Sequence, residues 1–367
     1  MKRASEPLTC TVGITGVDAG ENPHPGCAAA LALRADPAFQ GRIVALAYDP
    51  MINGAFMDGL FDDVALVPWP GDDERCWRRA LKRIRASHGI DVLLPCLDSD
   101  VPTLSRLQDE LHQAGIHTLL PREDAVKSRF KWNLPELCRR AGIATPRTAV
   151  LYDVDQIHPL AGWSYPVLVK GSLADCETAH DAEEAEWLFR HLARKWGYPV
   201  LLQERLAGVE YLLSGICPEP GCPSVLMAVK KVVTTDAGKA VAGVTVRHEP
   251  LASLGLRLLE TLAWKGPFEL EFLLETSTNT FHLVEINGRF PAWISFSPHV
   301  GCPVVTDALR AASGLAVPDR TPPAPGIHFV RGFHVATGIV TEARALHAAA
   351  HPAPVVREGH LSGDNKQ

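Results

Sequence analysis

Residues 266–293 read Gly-Pro-Phe-Glu-Leu-Glu-Phe-Leu-Leu-Glu-Thr-Ser-Thr-Asn-Thr-Phe-His-Leu-Val-Glu-Ile-Asn-Gly-Arg-Phe-Pro-Ala-Trp. Two apolar-rich runs, 268–274 and 280–286, flank a polar turn of Ser, Thr and Asn, which is the pattern of a β-hairpin. Side chains alternate with a period of two, so Glu269 and Glu271 share one face, as do Glu285 and Asn287. If the strands pair in register, Glu271 and Glu285 meet on the same side. Two carboxylates and an amide oxygen suit a hard cation, and Mg²⁺ takes such ligands while it also holds phosphates. The same residues read equally as a charged, solvated hairpin face.

Working outward, the 367 residues suffice for two or three domains of ~100–200 residues each. With 46% apolar and 21% charged residues and a mean hydropathy near zero, the composition is that of an ordinary globular protein. The net charge of −6 leaves no electrostatic footprint for nucleic acid. No apolar run approaches the ~20 residues of a membrane span, so no membrane partner is expected. The opening Met-Lys-Arg-Ala-Ser-Glu-Pro lacks the apolar core of a secretory signal. Nine cysteines are scattered along the chain; Cys217 and Cys222 lie close, but no second Cys/His pair completes a zinc site. They read as small core residues in a reducing cytoplasm.

In chain order, an apolar run at 8–14 breaks into a Gly/Pro-rich turn and an alanine-rich helix over 27–34, the opening of a doubly wound α/β unit. The spacing of Gly13, Gly16 and Gly20 does not fit the dinucleotide fingerprint. Strands follow at 43–48, 64–67 and 91–95, with a helix at 75–87. Asp98 and Asp100 then stand where a strand's carboxyl end meets a helix, a ligand-binding position in open α/β sheets. Ser99 or Asp100 also serves as N-cap of a helix over 101–114 with Pro102 in its first turn, a role compatible with ligand contact.

Beyond Pro121, residues 125–141 are expected to be mostly helical, with Pro135 either starting or kinking the helix. The strand at 165–170 ends on Lys170, an exit to solvent or a point charge aimed into a cleft. Residues 181–196 form an amphipathic helix opened by a capping-box-like Asp181 and Glu184. Strands at 198–203, 225–234 and 239–247, with Asp236, Ala237 and Gly238 turning between the last two, lead to a helix at 251–263 and the hairpin. A last helix at 304–313 stops at Gly314; a Pro-rich linker, a terminal strand at 327–336 and a frayed tail from 352 complete the chain.

The ordered set Lys131, Val-Leu-Val-Lys (167–170), Gln-Glu-Arg-Leu-Ala-Gly-Val-Glu-Tyr (203–211), Glu-Leu-Glu-Phe (269–272) and Glu-Ile-Asn-Gly-Arg-Phe (285–290) resembles the ATP-grasp superfamily. The chain looks most like its carboxylate–amine ligases with a carbamoyl-phosphate-synthetase-like ATP domain, over about residues 1–315. The resemblance implies a mixed α/β and α+β architecture: a doubly wound pre-ATP-grasp domain (1–120), a small lid subdomain (121–200), a large subdomain with the metal site (201–318), and a linker with a terminal strand and tail (319–367). It implies ATP and Mg²⁺, or Mn²⁺ in its place. Lys131 and Lys170 would contact phosphates, and Gln203, Glu204 and Leu206 would form the adenine-reading hinge. Glu210 would bind ribose, and Glu271, Glu285 and Asn287 the metal. Arg289 would face the transferred phosphate, with Lys230 as a further basic residue flanking the cleft.

Phosphoryl transfer asks a protein for positioning and charge neutralisation, which two lysines, an arginine and metal ions supply. An acyl phosphate must also be kept from water, a task for a closing lid. One departure stands out: Lys170 is followed by Gly-Ser-Leu-Ala-Asp-Cys-Glu-Thr-Ala-His, with a single glycine in place of the family's glycine-rich phosphate cover. The cover is expected to be shorter and stiffer, or built from residues such as Ser172. Glu269 reads as a cross-strand partner or as a polar group toward the acceptor. The expected substrates are a small-molecule or peptide carboxylate and amine, and the expected oligomer is a homodimer. Other readings are a kinase- or carboxylase-like ATP-grasp enzyme and an ATP-binding module without turnover.

Overall fold

The computed structural model describes residues 7–20, 23–49, 52–158, 162–235, 238–332 and 335–339. The turn expected at Asp236 and Ala237 and the tail from 352 lie outside them. Three sheets follow one another along the chain. The first is built from β1 (Thr11–Ile14), α1 (Pro25–Ala35), β2 (Arg42–Ala47), β3 (Asp63–Leu66), α2 (Glu74–His88), β4 (Val92–Leu94) and α3 (Val101–Gln113). Its strands are parallel in the order β3-β2-β1-β4. Alternate residues serve opposite layers: Val12 and Ile14 pack with Ala29 and Leu33 of α1, whereas Val44 and Leu46 pack with Trp77, Leu81 and Leu104 of α2 and α3. The strand order reverses at β1, so the carboxyl ends of β1 and β4 open a crevice. Gly26 lets α1 begin hard against that crevice: a Cβ there would stand 2.2 Å from the carbonyl oxygen of Thr15.

Asp100 occupies the N-cap position of α3 but does not cap it. Its carboxylate turns inward and accepts hydrogen bonds from Thr15 Oγ1 (2.6 Å) and the Tyr48 hydroxyl (2.5 Å), tying β1 and β2 to the start of α3. Burial pushes its pKa up to about 6, against the pull of those two hydroxyls. The folded state therefore holds a proton here that the unfolded chain has released, and this carboxyl's contribution to stability falls as pH rises from about 4 to about 6 and is level above. Asp100→Asn keeps an acceptor for both hydroxyls. It is expected to flatten that slope and raise the thermal midpoint at pH 7, read from unfolding curves between pH 4 and 8; an unchanged slope would assign the effect elsewhere.

Of the two outcomes that Pro135 allowed over 125–141, the helix starts at Leu134: α4 (Glu123–Ser128) is a separate short helix and α5 spans Leu134–Ala141. Pro135 sits in the first turn of α5, where its missing N–H costs nothing, and Lys131 lies in the turn between the helices rather than on either. Next come β5 (Thr148–Leu151), β6 (Val167–Lys170), β7 (Cys176–Ala179), α6 (Ala182–Trp196) and β8 (Val200–Glu204), an antiparallel sheet in the order β5-β8-β6-β7. Asp181 caps α6 through the Glu184 N–H (2.9 Å), and Glu184 reaches back to the His180 N–H (2.7 Å). Ala185, Leu188 and Leu192 then face Val167, Val169 and Leu202 of the sheet.

The third sheet comprises β9 (Gly208–Cys217), β10 (Met227–Thr234), β11 (Ala240–Thr245), β12 (Gly266–Glu275), β13 (Thr280–Asn287), β14 (Ile327–Arg331) and β15 (Val335–Ile339), with α7 (Glu249–Leu262) and α8 (Val304–Ala312). It is antiparallel throughout, in the order β13-β12-β9-β10-β11-β14-β15. The one terminal strand expected over 327–336 is a pair, β14 and β15. One face of the sheet packs Leu213, Leu270 and Phe272 against α5 and α7. On the other face Leu212, Val229 and Phe329 share a core with α1, α8 and Trp293, which locks the large sheet to the first one. Among the described residues no helix is long and apolar enough to cross a membrane.

Candidate active site

The hairpin of β12 and β13 forms as its alternation requires. Glu271 stands directly opposite Glu285, and Glu269 opposite Asn287. A bulge follows at once: Phe272 pairs with Leu283, so Val284 is the extra residue that re-aims the strand beside the carboxylates. Register across β9 and β10 extends this face. Glu271 lies beside Leu212 and Leu273 beside Glu210, while Tyr211 pairs with Lys230. Lys231, one residue on, therefore points to the side of Glu210 and Glu271, and Lys230 points to the side of α7.

Lys231 is the residue that sequence reasoning missed. Its side chain is 7% exposed and bridges Glu210 (2.7 Å) and Glu271 (2.9 Å). Burial opposes its charge, but the two carboxylates more than offset that and raise its pKa. Lys230, expected to flank the cleft, is on the wrong face of β10. Lys231→Met is expected to lower any turnover at this site about tenfold or more, as loss of a ligand-orienting partner does, while Lys230→Met leaves it within about twofold. ADP formation by the two variants checks this, and the reverse ranking would refute the register.

Opposite the hairpin stand the two expected phosphate lysines. Lys131 pairs with Glu285 (3.4 Å), and that carboxylate overcomes the effect of burial to keep the lysine charged. Lys170, at the end of β6, is 7% exposed; burial and the neighbouring Lys131 lower its pKa, against the attraction of Glu285 and Glu271. Glu285 is in turn held below the usual carboxylate range by Lys131 and Lys170 despite its burial. Glu271 moves the other way, up to about 7, because burial and the facing Glu269 and Glu285 outweigh Lys231.

Arg289 is clamped. Its guanidinium donates to Asp98 (2.8 Å) and Glu269 (2.9 Å), and Asp98 also accepts from the Gly288 N–H (3.1 Å) and pairs with Arg129 (3.1 Å). Glu269, left open by the sequence, thus has a job: it accepts from Arg289, from Asn287 Nδ2 (3.2 Å) and from Trp293 Nε1 (3.1 Å). Asp98 reaches this cluster from the switch point of the first sheet, 191 residues away in sequence. Both arginines pull its carboxyl below the ordinary range against its burial.

The remaining expected residues lie where the chain passes from the small to the large sheet. Gln203 Nε2 donates to Thr148 Oγ1 (2.8 Å), and Glu204 accepts from the Arg147 N–H (2.6 Å), so both side chains bind the small sheet together. Leu206 is half-buried in the connection to β9. Ser172 does not offer its hydroxyl to the cleft: it donates to the Trp196 carbonyl (2.9 Å). The connection from β6 to β7 is braced as well, with Asp175 accepting from Lys195 (2.7 Å) and Trp196 (2.8 Å) at the end of α6.

For a divalent cation the donor set is partial. Among the described residues no three of His, Cys, Asp and Glu converge as a protein-only metal cage. Glu271 and Glu285 with Asn287 nevertheless fit a hard ion whose shell is completed by phosphate oxygens. Burial together with Glu269 and Glu285 raises Glu271, so a cation beside this pair would favour its charged form. Asn287 Nδ2 now spans Glu269 and Glu271 (3.1 Å), and a flip of the amide presents its oxygen instead.

The sequence matches no family model and no curated protein. The fold has many counterparts among solved structures. An L-amino acid ligase from Bacillus licheniformis superposes with a TM-score of 0.64 at 14% identity, covering 88% of this chain and 79% of that one. An ADP complex of N5-carboxyaminoimidazole ribonucleotide synthetase gives 0.66 at 14% identity, over 90% and 83%. The biotin carboxylase domain dimer of Hydrogenobacter thermophilus 2-oxoglutarate carboxylase, in complex with MgADP, ADP and bicarbonate, gives 0.65 at 14% identity, over 89% and 74%. At these identities the likeness establishes the fold. It is the ATP-grasp fold that the motifs resemble.

Proposed function

We propose that this chain is an ATP-dependent carboxylate–amine ligase. The carrying observation is the convergence of Lys131, Lys170, Glu271, Glu285, Asn287 and Arg289 on one cleft between the small and large sheets, with Arg289 held by the carboxylates of Asp98 and Glu269. In this reading Lys131 and Lys170 hold the ATP phosphates, residues 203–206 form the adenine hinge, Glu210 takes the ribose, and the small sheet with α6 is the lid. Glu271, Glu285 and Asn287 hold Mg²⁺, which when bound neutralises phosphate charge. A substrate carboxylate oxygen attacks the γ-phosphorus, the bond to ADP breaks, and an acyl phosphate forms. Arg289 faces the transferring group and stabilises its charge. An amine then attacks the acyl carbon, phosphate leaves, and the amine gives up a proton as the amide forms. The braced connection after Lys170 makes a stiff cover over the phosphates where relatives use a glycine-rich loop.

All nine cysteines are free thiols, in keeping with a reducing cytoplasm. The test is release of ADP and phosphate from ATP and Mg²⁺ with pairs drawn from amino acids, short peptides and bicarbonate, followed by product mass. Release only when both a carboxylate and an amine are present supports the ligase; release with bicarbonate alone, or a persistent phosphorylated product, replaces it with a carboxylase or kinase. ATP binding without hydrolysis across the panel leaves a nucleotide-binding module.

A further inference from the structure

Beyond Arg289, away from the two phosphate lysines, the cleft opens into a chamber of about 570 Å³ between α1 and the strands β10, β11 and β14. That is the size range of small-molecule sites. Its apolar wall is made by Cys27 and Leu31 of α1, by Met57, and by Val241 of β11 across from the helix. A smaller cavity of about 60 Å³ shares Pro23, Ala292 and Arg331 with it and is lined by Lys239, Glu269 and Arg289. The two adjoin across these shared residues, and the smaller one reaches Arg289.

Polar atoms lining the two cavities lack partners. Ser295 is 4% exposed and its hydroxyl makes no hydrogen bond; Nδ1 of His24 is likewise buried and unpaired. Among the described residues the side chains of Arg331 and Lys239 make no hydrogen bond or ion pair, although both are half-buried. Burial lowers the pKa of each, and for Lys239 the neighbouring Arg289 and Arg331 add to the effect. Burial, Lys239 and Arg289 also keep His24 neutral against the pull of Asp18. A buried hydroxyl without a partner is costly, and half-buried cations without counter-charges are drawn to an anionic ligand.

We propose that this chamber binds the carboxylate substrate as an apolar α-amino acid, its side chain against Cys27, Leu31, Met57 and Val241, its carboxylate at Lys239 and Arg331 on the way to Arg289, and its amino group at His24. The assignment rests on the ligase reading for the direction in which the carboxylate points. An acidic or very small amino acid leaves the apolar wall wet, and an amide in place of the carboxylate leaves both cations unmet.

Calorimetric titration of the full chain with L-leucine, L-phenylalanine, glycine, L-glutamate and L-leucinamide, with and without MgADP, tests this. Leucine or phenylalanine is expected to bind at least about tenfold tighter than the other three, the loss that follows from an unmet charged partner. Arg331→Gln and Lys239→Gln should each weaken leucine binding by about tenfold or more, with ADP affinity unchanged and the thermal midpoint no lower as controls of folding. No binding of leucine or phenylalanine, equal binding of leucinamide, or full affinity in both variants overturns the proposal. Binding as expected without ADP release in any substrate pair would sink the ligase reading and leave the chamber standing. Phosphate release with other carboxylates, and no leucine or phenylalanine binding, would do the opposite.

Discussion

Glu285→Ala is expected to abolish ATP-dependent turnover while the chain stays folded. Glu285 lies opposite Glu271 across the hairpin and carries the ion pair to Lys131, so it is the carboxylate through which the large sheet meets that lysine. Outer-shell partners of a metal typically cost ~10–100-fold when removed, and a direct ligand should exceed that. The fold should survive because the side chain is about one-third exposed, on the cleft face, and the hairpin's packing rests on Leu270, Phe272 and Ile286 on the other face. Phosphate release across a Mg²⁺ titration, alongside a thermal unfolding curve, reads both halves. An undiminished rate would remove the hairpin from the mechanism.

Arg289→Met should damage activity and stability together. Loss of one charge-stabilising donor costs about 10²–10³ in rate. Loss of a buried ion-pair partner costs about 3–5 kcal/mol, because the carboxylate left behind is uncompensated. The low end applies, since Asp98 keeps Arg129 and the Gly288 N–H, and Glu269 keeps Asn287 and Trp293. Adding Glu269→Gln removes one stranded charge, so the double variant should regain part of the stability and none of the activity. Urea titrations and steady-state rates on the three proteins decide it. If Arg289→Met were as stable as the parent, the clamp would carry no energy; if it kept its rate, Arg289 would not face the reaction.

Each of these residues is visible in the sequence, but not its partner. Alternation placed Glu269 and Glu271 on one face of a strand, because a period of two is a property of any extended chain. It could not choose between Lys230 and Lys231, since which of two adjacent residues faces the cleft depends on pairing with β9. Asp98 was legible as the end of a strand at a switch point, and its contact with Arg289 was not. The short strands β5 and β7 were not read at all, because four residues with only one buried in each give a weak apolar pattern. Gly208–Cys217 was hidden for a different reason: it is buried on both faces over its second half, so alternation vanishes. Arg331 and Lys239 carried no signal, being single cations at the end of one strand and just before another.

The sequence by itself determined the local elements and the order of the motifs, because alternation, capping residues and prolines act over a few neighbouring positions. It determined too that two carboxylates, an amide and an arginine lie on one hairpin. Only the tertiary structure decided that Glu269 and Asp98 clamp that arginine, that Lys231 bridges Glu210 and Glu271, and that Ser172 turns from the cleft to the end of α6. Those are contacts between groups 20 to 191 residues apart. Strand register and the docking of one sheet on another set them, and no short-range pattern encodes either.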